Sequence, residues 1–250
     1  MNLINMLENL KELEWVDLSH EFNENTPRWP GFEPLKKEVK LEFGQYPVRA
    51  HQYSFPGQYG THVDVPGHAD VNGRTLEKIK LKECVLPICV INCSKAVKKN
   101  NDYALTVEDI ERYERKYGRI PENAFVAMRS DWGKRWPNQK EMLNCDDNGE
   151  CHYPGWSLEA VKFLISERKT KAFGHETFDT DPPFLKEQRY FQAECYLLQH
   201  DCFQIEMMRN LDKIPEKGAI VFCLFVKQSK GTGFPARCFA ISNREKQDIV

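Results

Sequence analysis

The sequence predicts an α/β fold, a mixed and partly barrel-like β-sheet with flanking helices. Three observations carry this. Strand-length apolar runs and helix-length amphipathic stretches alternate along the chain, but too imperfectly for an all-parallel, doubly wound sheet. Residues 86–93, LPICVINC, form a continuous apolar run, the pattern of a central strand covered on both faces. The 250 residues, 41% apolar and 29% charged, have ordinary globular composition and are long enough to bury a sizeable core in one domain.

In chain order, Leu3, Met6, Leu7, Leu10 and Leu13 recur at helical spacing, so residues 2–13 make a short amphipathic helix. Its leucine face has no evident partner in the chain, which marks residues 1–16 as an oligomer contact and 17–250 as the single domain proper. Residues 15–18 read as a short strand. The stretch 23–34, with three prolines and Gly31, reads as a surface loop carrying Trp29 and Phe32. Strand-like stretches at 39–43 and 49–55 follow. Thr106, with Asp109 at the capping-box position, opens a helix that Gly118 ends, and 124–128 is a short buried strand. The second half repeats the alternation: a helix at 157–167, a strand at 171–173, a helix or strand at 194–198, and strong strands at 219–226 and 237–241.

Formal net charge is −2 and the basic residues are interspersed with acidic ones, so the stripe expected of a nucleic-acid binder is missing. No apolar run approaches the roughly 18 to 20 residues that span a bilayer, and the N-terminus lacks a signal-peptide core. The expected setting is the cytoplasm, with neither nucleic acid nor membrane as partner. Nine cysteines, an odd number lying mostly in apolar runs, read as buried reduced thiols. Cys145 and Cys151 flank Asp146, Asp147 and Gly149 in a surface loop, without the paired spacing of a structural zinc site.

The chemistry concentrates in residues 58–68, QYGTHVDVPGH. On an extended chain His62 and Asp64 project to one face, because strand side chains repeat every two residues. Pro66 ends the strand, and the turn it starts with Gly67 returns His68 over the same face. A single His beside a strand is usually a satisfied side chain. Two His and an Asp at this spacing suit zinc, manganese or iron(II), without the thiolates of a closed structural site.

The segment resembles the signature HxGTHxDxPxH of the cyclase family of metal-dependent hydrolases, which includes kynurenine formamidase, isatin hydrolase and a trans-dienelactone hydrolase. Gly60, Thr61, His62, Asp64, Pro66 and His68 match. Further similarity runs from residue 17 to about 241, through Asp17-Leu18-Ser19-His20, Trp29-Pro30-Gly31, Arg129-Ser130-Asp131-Trp132, Pro154-Gly155-Trp156-Ser157, and Gly231-Thr232-Gly233 with Pro235-Ala236-Arg237. The resemblance implies a cyclase-like, swivelling β/α fold and a homodimer or homotetramer. It also implies a water-activating metal, zinc or manganese, that opens a small amide, cyclic amide or formamide. Lactone hydrolysis within the same family is the alternative, and a metal-binding protein without catalysis is a reading from another class.

Gln58 stands where the family has its first metal-binding His, four residues before His62 and so on the same face of an extended strand, and its neutral amide oxygen is a weaker ligand than imidazole. The resemblance places Glu206 as the distal ligand. Glu194, where formamidases supply a His to a second metal, allows a second ion together with Asp64, His68 and Glu206. The implied metal set is therefore Gln58, His62, Asp64, His68, Glu194 and Glu206, with His68 and Glu206 as candidate proton carriers. Polar surplus at His68, Glu194 and Arg129, and an aromatic loop able to cover a flat substrate, favour an enzyme over a storage protein. Glu176 is expected to order its loop through backbone N–H groups. His20 and His51 are expected to be structural, although His20 lies close enough to the opening strand to touch the pocket, and His200, six residues before Glu206, is expected either to support the ligands from behind or to have no role.

Overall fold

The computed structural model describes residues 2–183 and 191–243, so 184–190 and 244–250 of the expected 17–250 domain lie outside the described residues, as does Met1. An eight-stranded sheet closes on itself. Strands β5 (Val85–Asn92), β7 (Phe125–Arg129), β9 (Ala172–His175) and β10 (Phe203–Glu206) run parallel side by side. The antiparallel strands β4 (His62–Asp64), β12 (Gly233–Ser242) and β11 (Ala219–Phe225) complete the ring. Closure depends on the length of β12, whose first residues, Gly233 to Pro235, pair with β4 and whose later ones pair with β11. β1 (Glu14–Asp17) lies outside the ring along the far half of β12.

Parallel neighbours need crossover connections, and helices supply them. Helix α3 (Val107–Tyr117) precedes β7, α5 (Leu158–Arg168) precedes β9, and α6 (Gln192–Gln199) precedes β10. The expected capping box at Thr106 and Asp109 opens α3, and the Ser157 hydroxyl accepts from Ala160 N to open α5. Strand alternation then divides the core in two. Val63, Val65, Phe203 and Ile205 fill the ring together with Ile88, Phe125 and Val221, whereas Val126, Met128 and Phe173 face outward against Ile110, Val161, Leu164 and Leu197 of the helices. A fully buried aliphatic side chain contributes ~1.5–3 kcal/mol, so a one-residue slip of β4, which would turn Val63 and Val65 out and His62 and Asp64 in, is strongly disfavoured.

The mixed, barrel-like sheet therefore agrees with the expectation, with four particulars. Residues 194–198 are helical, within α6. The strands expected at 39–43 and 49–55 form a separate ribbon, β2 (Lys36–Leu41) with β3 (Ala50–Ser54), outside the ring. Helix α1 (Leu3–Lys11) buries no residue, leaving Leu3, Ile4, Met6 and Leu7 exposed. The reading of all nine cysteines as reduced thiols is corrected at one pair. Cys145 and Cys151 form a disulfide across their turn, because an isolated antiparallel bridge brings the two residues face to face, while Cys84, Cys89, Cys93, Cys195, Cys202, Cys223 and Cys238 are free. Among the described residues no helix is long and apolar enough to cross a membrane.

Candidate active site

The site stands on the outer face of β4 and β10. Asp64 lies opposite Gln204 and His62 opposite Glu206, and because Val63 and Ile205 point into the ring, these four polar side chains share the other face, all buried. Two further groups come from flanking elements. A short 3-10 helix, Pro66–His68, reverses the chain after β4 and brings His68 back over the face, as the Pro-Gly turn implies. The carboxylate of Asp181 accepts from Ala193 N at 2.9 Å and Glu194 N at 3.0 Å, satisfying the first turn of α6 and aiming Glu194 at the same place.

Within this cluster His62 Nε2 is 3.3 Å from Asp64 Oδ2 and 3.4 Å from Glu206 Oε2. Its other nitrogen, Nδ1, is 2.8 Å from the Gly60 carbonyl, an oxygen that can only accept, so Nδ1 carries the proton and Nε2 presents a lone pair. That lone pair is buried, has no hydrogen-bond partner, and faces two carboxylate oxygens. Such an arrangement is repulsive unless positive charge, a metal ion or a second proton on Nε2, lies between the three groups. Burial raises Glu194 well above the usual carboxylate range, and Glu206 and Asp64 push it further. For His62, burial opposes protonation but Asp64 and then Glu206 outweigh it, holding the imidazole well above its ordinary value. Burial likewise opposes ionisation of Asp64, and His62 overcomes it to bring the carboxyl down to about 2.

The donor atoms fall into two groups that share Asp64. One is His62, Asp64 and Glu206, and the other is Asp64, His68 and Glu194, each with its ligand atoms within 4.8 Å of one another. Gln204, which sequence reasoning missed, sits among them. Its amide nitrogen donates to Glu206 Oε1 at 2.9 Å, Glu194 Oε1 at 3.2 Å and Asp64 Oδ2 at 3.3 Å, while its oxygen accepts from the Thr180 hydroxyl. The alternation Phe203-Gln204-Ile205-Glu206 is the signal that would have found it, by identifying β10 as a half-polar strand.

Above the cluster opens a cavity of about 350 Å³, polar at its base and walled by Trp29, Phe32, Phe178, Phe191 and Met207. Trp29 and Phe32 meet edge to face with centroids 5.3 Å apart, as the aromatic loop suggested.

Residues 16–182 match the family described as "Putative cyclase". The chain belongs to this family. It is 31% identical over 251 residues to the isatin hydrolase of Roseibium aggregatum, with 92% of each chain covered. A kynurenine formamidase from Bacillus cereus is 31% identical over 108 residues, covering 41% of this chain and 51% of the relative. Among solved structures, isatin hydrolase A from Labrenzia aggregata bound to benzyl benzoate superimposes with a TM-score of 0.89 at 31% identity, over 97% of this chain and 100% of that one. An isatin hydrolase bound to the product analogue thioisatinate gives 0.90 at 28% identity, over 98% and 100%.

Not every residue singled out from this cyclase sequence reaches the cluster as expected. Gln58 does, but not by strand alternation: Gly60 at φ +62° breaks the extended chain before β4. The structure turns its amide nitrogen, 3.2 Å from both Asp64 Oδ1 and His68 Nδ1, toward the site, so acting as a ligand requires the amide to turn over. Arg129 lies away from the cavity in an ion pair with Asp131, because it is the last residue of β7 and turns into the following loop. His200 is exposed and stacks on Tyr196, and His51 sits on the outer ribbon beside Tyr53. His20 packs flat on Trp136 beside a different cavity, where burial and then Arg209 lower it to about 3. Glu176 orders the loop after β7 rather than its own, accepting from Ser130 N and Ser130 Oγ, and burial raises it to about 7. His175, next to Glu176 at the end of β9, lies with Nε2 3.3 Å from Glu206 Oε1.

Proposed function

We propose that this protein is a metal-dependent hydrolase of non-peptide C–N bonds that opens a small, neutral, aromatic cyclic amide. The observation that carries the reading is the bare Nε2 of His62, aimed at two buried carboxylates at the base of an aromatic-walled cavity. His62, Asp64 and Glu206 fit a divalent cation, zinc or manganese by the hardness of one imidazole and two carboxylates. A cation there would supply a Lewis acid that lowers the pKa of water toward about 7 and polarises a carbonyl.

The chain's own groups supply the rest. Gln58 Nε2 reaches His68 Nδ1, which leaves the His68 proton on Nε2, facing Glu194. At the cavity mouth, partly exposed, His68 is placed to give this Nε2 proton to the leaving nitrogen and to regain one from the attacking water. Gln204 bridges the carboxyl groups of Glu206 and Glu194 by donating to both. Asp64, His68 and Glu194 offer a second cation place. Filling it would occupy His68, so the metal count and the proton-transfer role of His68 exclude each other.

The cavity also speaks to the substrate. Among the described residues none of its walls is Lys or Arg, while Asp64, Asp179, Glu194 and Glu206 line it. That favours an uncharged flat ring over a substrate bearing its own carboxylate. Turnover of isatin, N-formylkynurenine and a dienelactone, measured with elemental analysis and after chelation, tests the reading. Isatin should be opened only with metal present. Chelator-resistant turnover, or preference for the lactone, overturns it. We further propose cytoplasmic location and association of two or four copies through the exposed apolar face of α1, which the helix leaves without a partner. Sedimentation as a monomer at micromolar concentration refutes the latter.

A further inference from the structure

Trp29 and Phe32 wall the cavity, yet the loop that carries them is a surface loop and Trp29 is 44% exposed. Something must hold it. The loop closes on itself through Phe32 N donating to Trp29 O at 3.0 Å and Arg28 Nε donating to Phe32 O at 3.0 Å. Thr26 anchors it before this point and Leu35 N, donating to the Tyr59 hydroxyl, anchors it after. Between them, among the described residues, the only hydrogen bonds from 27–34 to the rest of the chain go to one side chain 111 positions away. Gln139 Oε1 accepts from Arg28 N at 2.8 Å, and Gln139 Nε2 donates to Arg28 O at 2.6 Å.

We propose that Gln139 is a positioning residue for substrate specificity: its carboxamide pairs with the backbone of Arg28 as a neighbouring strand would, and so holds Trp29 and Phe32 over the cavity. The bond pattern leaves no ambiguity in the amide, because a backbone N–H fixes its oxygen and a backbone carbonyl fixes its nitrogen. Gln139 is itself well founded. It opens helix α4 (Gln139–Leu143), whose N-cap Asn138 accepts from Lys140 N and Glu141 N. The fully buried Met142 of α4 packs in the outer core, and the indole of Trp132 donates to its carbonyl at 2.8 Å. The loop is thereby tied through one amide to the rigid body of the protein. Neither Asn nor Glu can reproduce the tie. Asn is one methylene too short to reach both groups, and a Glu carboxylate would face the Arg28 carbonyl with no donor.

The inference rests on the hydrolase reading for its kinetic consequence but not for its structural one, and the experiment separates the two. Gln139→Ala and Gln139→Glu are compared with wild type by amide hydrogen exchange across residues 27–34 and by kinetics on isatin and on a small aliphatic cyclic imide. Exchange of 27–34 should quicken in both variants while that of β4 and β10 stays unchanged. KM for isatin should rise about tenfold with kcat nearly kept, and the aliphatic imide, too small to need the aromatic wall, should show little change. In a Trp29→Ala, Phe32→Ala background the Gln139→Ala change should add nothing further to KM. Unchanged exchange at 27–34 overturns the clamp. Equal losses on both substrates, or a fall in kcat alone, overturn its role in specificity. A wild type that opens no cyclic amide defeats the functional reading and leaves the exchange result to decide the clamp.

Discussion

Gly233→Ala puts the geometry of the site under direct test. Gly233 pairs with Asp64 where β12 closes the ring. A methyl group built there would lie 2.3 Å from Gln58 Nε2 and 2.6 Å from Asp64 Oδ1, against about 3.5–4.0 Å for ordinary contact. Gly233 is not among the positive-φ glycines, so alanine adds no backbone strain and the whole cost is the collision. The far end of Gln58 is flexible and can swing away. Asp64 cannot, since it is buried, short, and held at Oδ2 by Gln204. Overpacking of this kind costs ~1–3 kcal/mol of stability. Misorienting a ligand costs ~10- to 100-fold in metal affinity. Urea denaturation of the chelated protein and zinc titration against a competing chelator read the two effects separately. A variant that folds with near wild-type stability and binds zinc as tightly would show that Asp64 does not hold the cation.

His68→Ala should keep much of its metal while losing ~10²- to 10⁴-fold in turnover, and full metal loss would instead make His68 a ligand of the group with Asp64 and Glu194. Gln58→His should tighten zinc binding in the same competition titration, and an unchanged affinity would mean that position 58 does not reach the ion. For Glu176, burial lifts the folded-state pKa from 4.5 to about 7. Between those values the folded chain keeps a proton that the unfolded chain has lost, so stability falls as pH rises through this window and levels off above it. The full effect is ~3 kcal/mol. Glu176→Gln should gain on wild type by that order between about pH 5 and pH 8 in urea denaturation, and parallel stability curves would refute the buried, protonated state.

Much of this was legible because it is local. The pair His62 and Asp64 needs only the two-residue period of a strand, His68 needs only the Pro-Gly turn, and α3 needs only Thr106 and Asp109. What could not be read depends on partners distant in sequence. Gln204 becomes part of the site because β10 pairs with β4, a contact across 140 residues. Alternation predicts the approach of Gln58, but Gly60 carries it in by a turn instead. Arg129 counts as polar surplus for the site in the sequence, whereas its place at the end of β7 pairs it with Asp131. The Cys145–Cys151 bridge is the local exception: an odd cysteine count points to thiols, yet two cysteines flanking a Gly-bearing turn are close enough for local geometry to join them.

The location of the site at the seam of the ring has a physical reason. β4 is three residues long, too short to be stable on its own, yet it is paired on both edges, by β10 and by β12, and its inward Val63 is fully buried. Two-sided pairing fixes the register of β4, and register decides which face His62 and Asp64 occupy. The same closure explains why the neighbour at Gly233 carries no side chain: a Cβ on this stretch of β12 would fill the space that Asp64 and Gln58 use. A cation held by His62 and Asp64 on one strand and Glu206 on the next would join two strands of the ring across the shortest strand in it. Metal binding there would be coupled to closure of the barrel, since each would stabilise the pairing that the other requires.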